Sequence, residues 1–105
     1  MNKVNFRTVE ILSEIKKTIL MRGYNNVDWD VFESWVNDLI TEETEAGNEQ
    51  TATNLQYIKD LCKMAKRKNC SDESRYRATN NFLLIQRVIE ERYNSWDDDD
   101  ETEVA

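Results

Sequence analysis

Residues 28–47 read DWDVFESWVNDLITEETEAG. Trp29, Phe32, Val36 and Leu39 recur at steps of three and four, with Ile40 four after Val36, the period of one face of an α-helix rather than the alternation of a strand. Asp28, or Asn26 before it, stands where an N-cap belongs, and Asp28 and Asp30 suit the positive end of the helix dipole. Gly47 supplies the left-handed residue that ends such a helix, so the spacing predicts a helix from Asp28 to about Ala46.

The same pattern extends in both directions. Val4 or Asn5 to Arg22 carries the stripe Val9, Leu12, Ile15 and Ile19, with Ile11 and Met21 beside it, and Gly23 closes it. Downstream, a third helix is predicted from Thr51 or Thr53 to Lys68, with Leu55, Ile58, Leu61, Cys62 and Ala65 inward. Lys66, Arg67 and Lys68 then complement its C-terminal dipole, and Asn69 is the residue expected in the left-handed region. Ser71, followed by Asp72 and Glu73, starts a fourth helix whose stripe is Ala78, Phe82, Ile85, Ile89, Tyr93 and Trp96. Leu84 and Val88 widen its apolar face, which predicts the most buried of the four helices. The alternative is a break at Thr79-Asn80-Asn81, where three poor helix formers adjoin.

Composition agrees with an all-helical chain. Among 105 residues there is no proline, and the two glycines fall between predicted helices. A sandwich or barrel, which needs many Gly/Pro turns, is disfavoured. The fold class is therefore all-α: a compact bundle or orthogonal array of about four helices over residues 1–96, because four amphipathic segments with short connections bury their stripes only against one another. Residues 97–105 form a like-charge block that repels itself and buries no apolar area, which predicts a disordered acidic tail.

The net charge of −7 is unevenly placed. Six of the twenty-one acids lie in the last nine positions, leaving fifteen acids and fourteen bases in residues 1–96. From Asp28 to Glu49 there are eight acids and no base; from Lys59 to Arg77, seven bases against three acids. The chain is dipolar along its length.

Absent residues exclude much chemistry. Without histidine there is no Ser/His/Asp or Cys/His nucleophilic system, no histidine-ligated zinc and no Glu-x-x-His di-metal bundle. Cys62 and Cys70 are eight apart with no C-x-x-C, so reduced thiols are expected, not zinc or a disulfide framework. No window forms an EF-hand loop, since Asn26-Val27-Asp28-Trp29-Asp30 lacks the glycine and distal glutamate that must follow. Phosphate-cradling loops need glycines that the chain lacks. The N-terminus has no signal-peptide core, and the longest aliphatic or aromatic run, Phe82–Ile85, is far short of the ~20 residues a membrane span needs. A cytoplasmic, non-enzymatic protein with no metal and no cofactor is the expectation; a viral or phage source would place it in the host cytoplasm.

Two surfaces remain as candidates. The first is acidic and aromatic: Asp28, Asp30, Glu33, Trp35, Asp38, Glu42, Glu43 and Glu45, with Asp97, Asp98, Asp99 and Asp100 steering association. Carboxylates in a row present a potential complementary to a basic groove, and tryptophan is a residue type that anchors interfaces. Trp35 with Tyr57 is the expected aromatic patch. The function read from this is a small phage-type inhibitor or regulator that docks on a larger nucleic-acid-processing or host-defence protein, as a nucleic-acid mimic. The second surface is basic: Lys59, Lys63, Lys66, Arg67 and Arg75 suit phosphate contacts, and the alternative is a small nucleic-acid-binding regulator or packaging accessory. The basic residues also suit pairing with the acids of helix 2, a structural use. A homodimer completes the bundle if helix 4 is apolar all round.

Overall fold

The computed structural model describes residues 3–95 with their side chains, and among the described residues all regular structure is helical. The elements are α1 (Phe6–Arg22), α2 (Trp29–Glu45), α3 (Glu49–Ala65) and α4 (Asp72–Val104). The side chains of residues 96–105 are not among those described, and the inward place predicted for Trp96, the predicted tail disorder and the steering role given to Asp97–Asp100 lie outside the described residues.

Local signals place the helix ends. Gly23, at φ +87°, donates its amide to Ile19 O at 2.7 Å and turns the chain out of α1, a conformation that an L side chain strains to reach. Asp28 caps α2 with Oδ1, accepting from the amides of Asp30 (3.1 Å) and Val31 (3.2 Å). Ser71 caps α4 in the same way, its Oγ accepting from Ser74 N at 3.1 Å. α4 runs through Thr79-Asn80-Asn81 without a break, because Ala78 and Phe82 on either side are anchored in the core. Tertiary packing here overrides weak propensity.

The helices close a ring in the order α1–α2–α3–α4. α2 and α3, joined by the short turn 46–48, share the most extensive interface; α4 lies against α3 and, less extensively, α1; α1 meets α2 only sparingly. α1 and α3 sit diagonally, as do α2 and α4. Each helix sends one stripe inward: Leu12, Ile15 and Ile19; Trp29, Phe32, Val36 and Leu39; Leu55, Ile58, Cys62 and Ala65; Ala78, Phe82 and Ile89. Val4, ahead of α1, joins them. Removing such a side chain, Phe82 for example, costs about 3–5 kcal/mol through lost transfer energy and a residual cavity.

Several expectations need correction. α3 begins at Glu49, not Thr51 or Thr53, and ends at Ala65, so Lys66, Arg67 and Lys68 belong to the turn that follows. Asn69 is not left-handed, since no described residue other than glycine has positive φ. Met21 is not on the inner stripe of α1; it is 76% exposed. Nor is α4 apolar all round or the most buried helix: Leu84 (64%) and Val88 (46%) face outward. A helix with two neighbours in a four-membered ring contacts them over a limited arc, and these two positions lie beyond it.

Candidate protein-docking surface

α2 presents its outer face as a single stripe. Val31, Trp35, Asp38, Glu42 and Glu45 follow steps of four, three, four and three, which keeps them within about 40° of a common direction. Val31 and Trp35 are each 38% exposed, and Asp38 and Glu45 are exposed too. Trp35 is not loose. Its ring lies 5.8 Å from Phe32, which meets Trp29 edge-on at 5.7 Å, so an aromatic row runs from the core to the surface. The indole of Trp29 is pinned in turn, donating Nε1–H to Tyr24 O at 2.9 Å. A tryptophan held in this way loses little freedom when a partner covers it.

The acid end of the stripe is electrostatically unfavourable on its own. Glu42 and Glu45 occupy the last turn of α2, where the helix dipole is negative and where no base stands. Glu42 has one cation in reach, Arg7 Nε at 3.5 Å and well exposed; Asp38 and Glu45 have no ion-pair or hydrogen-bond partner among the described residues. Like charge at a helix C-terminus costs a few tenths of a kcal/mol per group. A basic partner would relieve it.

Other members of the predicted acidic surface are committed inside the molecule. Asp28 is the N-cap. Asp30 and Glu33 converge on Lys66 Nζ at 3.0 and 2.6 Å, joining α2 to the end of α3. Those two carboxylates, Glu33 first and Asp30 second, raise the pKa of the Lys66 ammonium above its ordinary value by hydrogen bonding its charged form. Glu43 is the clear correction. It is fully buried and has no outward surface to dock with. Its Oε2 accepts from Thr8 Oγ1 (2.6 Å) and from Asn5 N (3.1 Å), and its Oε1 from Asn48 Nδ2 (2.8 Å). Asn48 Nδ2 also donates to Lys3 O at 3.1 Å. The carboxylate therefore clasps the start of α1 to the α2–α3 turn and sets a negative charge at the positive end of α1, whose own N-cap, Asn5, makes no side-chain cap. Glu43 continues the stripe Val36, Leu39, Glu43, and that spacing was the signal of its burial.

The basic set is divided as well. Arg75 is spent on backbone: Nε donates to Ala65 O (2.9 Å) and Nη2 to Arg67 O (2.8 Å), while Nη1 reaches Asn25 Oδ1 (3.3 Å). It caps the end of α3 from α4 and ties in the α1–α2 loop. Lys59 Nζ donates to Asn37 Oδ1 of α2 at 2.8 Å. With Lys66 paired, Lys63 and Arg67 are left of the five as exposed cations without a side-chain partner among the described residues. The Trp35–Tyr57 patch does not form. Tyr57 lies on the flank of α3 facing α4, lining a groove with Leu61, Met64 and Leu84, whereas Lys59, two residues on, faces α2.

Among the described residues no constellation for catalysis stands out. A cleft of about 490 Å³ at the α1–α2 loop is lined by Arg22, Asp28, Asp30, Lys66 and Arg75 among others; of these charged groups all but Arg22 already serve as caps or ion pairs. Among the described residues no group of three or more His, Cys, Asp or Glu side chains is placed to hold a metal ion. Cys62 and Cys70 are free, and burial, with the nearby Glu33 charge adding to it, pushes the Cys62 thiol up to about 12. No helix among the described residues is long and apolar enough to cross a membrane. Comparison of the chain with protein-family models, curated proteins and solved structures gives no match.

Proposed function

We propose that this chain is a non-enzymatic binding protein, an inhibitor or regulator that docks through the outer stripe of α2 onto a basic surface of a larger protein, one that handles nucleic acid or serves in host defence. The observation that carries the reading is the stripe itself. A half-exposed Trp35, packed on Phe32 beside Val31, gives an apolar anchor; on the same face follow Asp38 and Glu45, which have no ion-pair or hydrogen-bond partner among the described residues, and Glu42, which meets only the exposed Arg7. Anchors of this kind dominate binding energy, while the flanking charge sets orientation and on-rate.

The alternative, direct nucleic-acid binding by the basic turn, is less favoured because Lys59, Lys66 and Arg75 are occupied within the protein. A comparison of charge reversals separates the two. The tagged chain is incubated in nuclease-treated and untreated lysate, alongside Trp35→Ala, a Glu42→Lys/Glu45→Lys pair and a Lys63→Glu/Arg67→Glu pair. Docking through α2 predicts one stoichiometric protein retained after nuclease treatment, lost with the first two variants and kept with the third. Retention that disappears with nuclease and with Lys63→Glu/Arg67→Glu would overturn it in favour of nucleic acid.

A further inference from the structure

We infer that the outward face of α4 is a self-association surface that pairs antiparallel with α4 of a second copy about a twofold axis at Leu84. The apolar part is the ridge of Leu84 and Val88, exposed one turn apart, and beside it the groove between α3 and α4. That groove has a volume of about 420 Å³ and is lined by Tyr57, Leu61, Met64 and Ile85. The groove on the other side of the ridge, between α1 and α4, has Leu83 beside Leu84 but is otherwise walled by Lys16, Asn80, Gln86, Arg87 and Glu90. A second α4 ridge therefore leans to the α3 side, and two such ridges in two such grooves make an isologous contact of four helices.

Charge selects the occupant. The outer face of α4 carries Glu73 and Arg77 toward one end and Arg87 and Glu91 toward the other, all strongly exposed. Arg77 stands seven residues before Leu84 and Glu91 seven after, two helical turns each way on the same stripe. An antiparallel pair centred on Leu84 thus sets each Arg77 beside the second copy's Glu91, twice by symmetry, and lays Val88 across from Asn80 and Asn81. Two competing pairings are penalised. A parallel in-register pair opposes Arg77 to Arg77 and Glu91 to Glu91. An antiparallel pair centred two residues earlier opposes Glu73 to Glu91 and Arg77 to Arg87. Like charges brought together in this way disfavour the wrong register. The inference is independent of the α2 reading, since α2 and α4 are diagonal and share no residue.

Sedimentation velocity on the full chain, over about 5–500 µM and at low and moderate salt, tests it. A monomer–dimer equilibrium is expected. Leu84→Arg, at an exposed site, should leave the helical circular dichroism unchanged and abolish the dimer. Arg77→Glu and Glu91→Arg should each weaken association about tenfold, and the two combined in one chain should restore it to within about threefold. The combined variant loses both intrachain pairs, Glu73–Arg77 and Arg87–Glu91, so restoration reports contact between copies alone. A monomer throughout the range, a dimer indifferent to Leu84→Arg, or a combined variant no better than the singles would each overturn the inference.

Discussion

Glu43 offers the sharpest test of how this fold is held together. Truncation to alanine removes the acceptor for three donors. Thr8 Oγ1, fully buried at 2.6 Å, loses the most; the part-buried Asn5 amide and Asn48 Nδ2, which keeps Lys3 O, lose less. Orphaned buried donors cost about 1–3 kcal/mol each, and the space left by the carboxylate adds to this, so Glu43→Ala should cost on the order of 3–5 kcal/mol. For a domain of about a hundred residues that lowers Tm by roughly 20 °C. Glu43→Gln refines the argument. Its oxygen can still serve Thr8 and Asn5, but its amide meets Asn48 Nδ2, held in place by its second bond to Lys3 O, so a loss of about 2 kcal/mol is expected. Urea denaturation followed by circular dichroism measures both, and a double-mutant cycle with Thr8→Val should return a coupling of about 1–2 kcal/mol. If Glu43→Ala and Glu43→Gln both fall within 0.5 kcal/mol of the parent, at the resolution of such ΔΔG measurements, the buried clasp is refuted and Glu43 reverts to a surface acid.

Thr79 Oγ1 is buried with no hydrogen-bond partner among the described residues, so Thr79→Val should stabilise the chain by about 1 kcal/mol, read as a rise in the urea midpoint. Arg75→Lys should destabilise nearly as much as Arg75→Ala, by about 2 kcal/mol, because an ammonium cannot span Ala65 O, Arg67 O and Asn25 as the guanidinium does; thermal melts compare them. Asp28→Ala should cost about 1 kcal/mol through loss of the α2 cap, and Asp28→Ser should recover most of it in the same assay. At pH 8 a maleimide should label Cys70 in the folded chain and leave Cys62 untouched. Because Cys62 titrates near 12 when folded and 9.0 otherwise, the folded state holds its proton more tightly. That stabilisation is complete below pH 9 and is lost as pH rises toward 12, by about 1.4 kcal/mol per pH unit, so Cys62→Ala should flatten the alkaline fall in stability.

Where one turn of chain decides an outcome, the sequence was readable. Asp28 and Ser71 cap as their positions require, and Gly23 and Gly47 both take positive φ between helices. What depends on neighbours in space was not. Periodicity describes an apolar arc on α4, yet how much of that arc is covered depends on how many helices surround it, and Leu84 and Val88 were left outside. The acids of α2 looked alike by type, but Glu43 belongs to the inner stripe, Asp30 and Glu33 to Lys66, and only the 31–35–38–42–45 stripe to the surface. Val31 was overlooked at the apolar end of that stripe, although its spacing from Trp35 gave the sign. Arg75 read as a phosphate contact because nothing local shows that the end of α3 lies within its reach.

The diagonal placement of α2 and α4 has a consequence for valency. Two outward stripes on diagonal helices can be engaged together without either occluding the other, and substitutions in them should be additive. A dimer formed through α4 then carries two α2 stripes. Toward a target with two basic sites at matching separation, the second engagement is intramolecular, at an effective concentration that can reach about millimolar, so a weak individual contact becomes slow to release. Toward a target with one site the same dimer gains only a factor of two in statistics. The apparent affinity of this small protein would thus report the geometry of its target as much as the chemistry of its own surface.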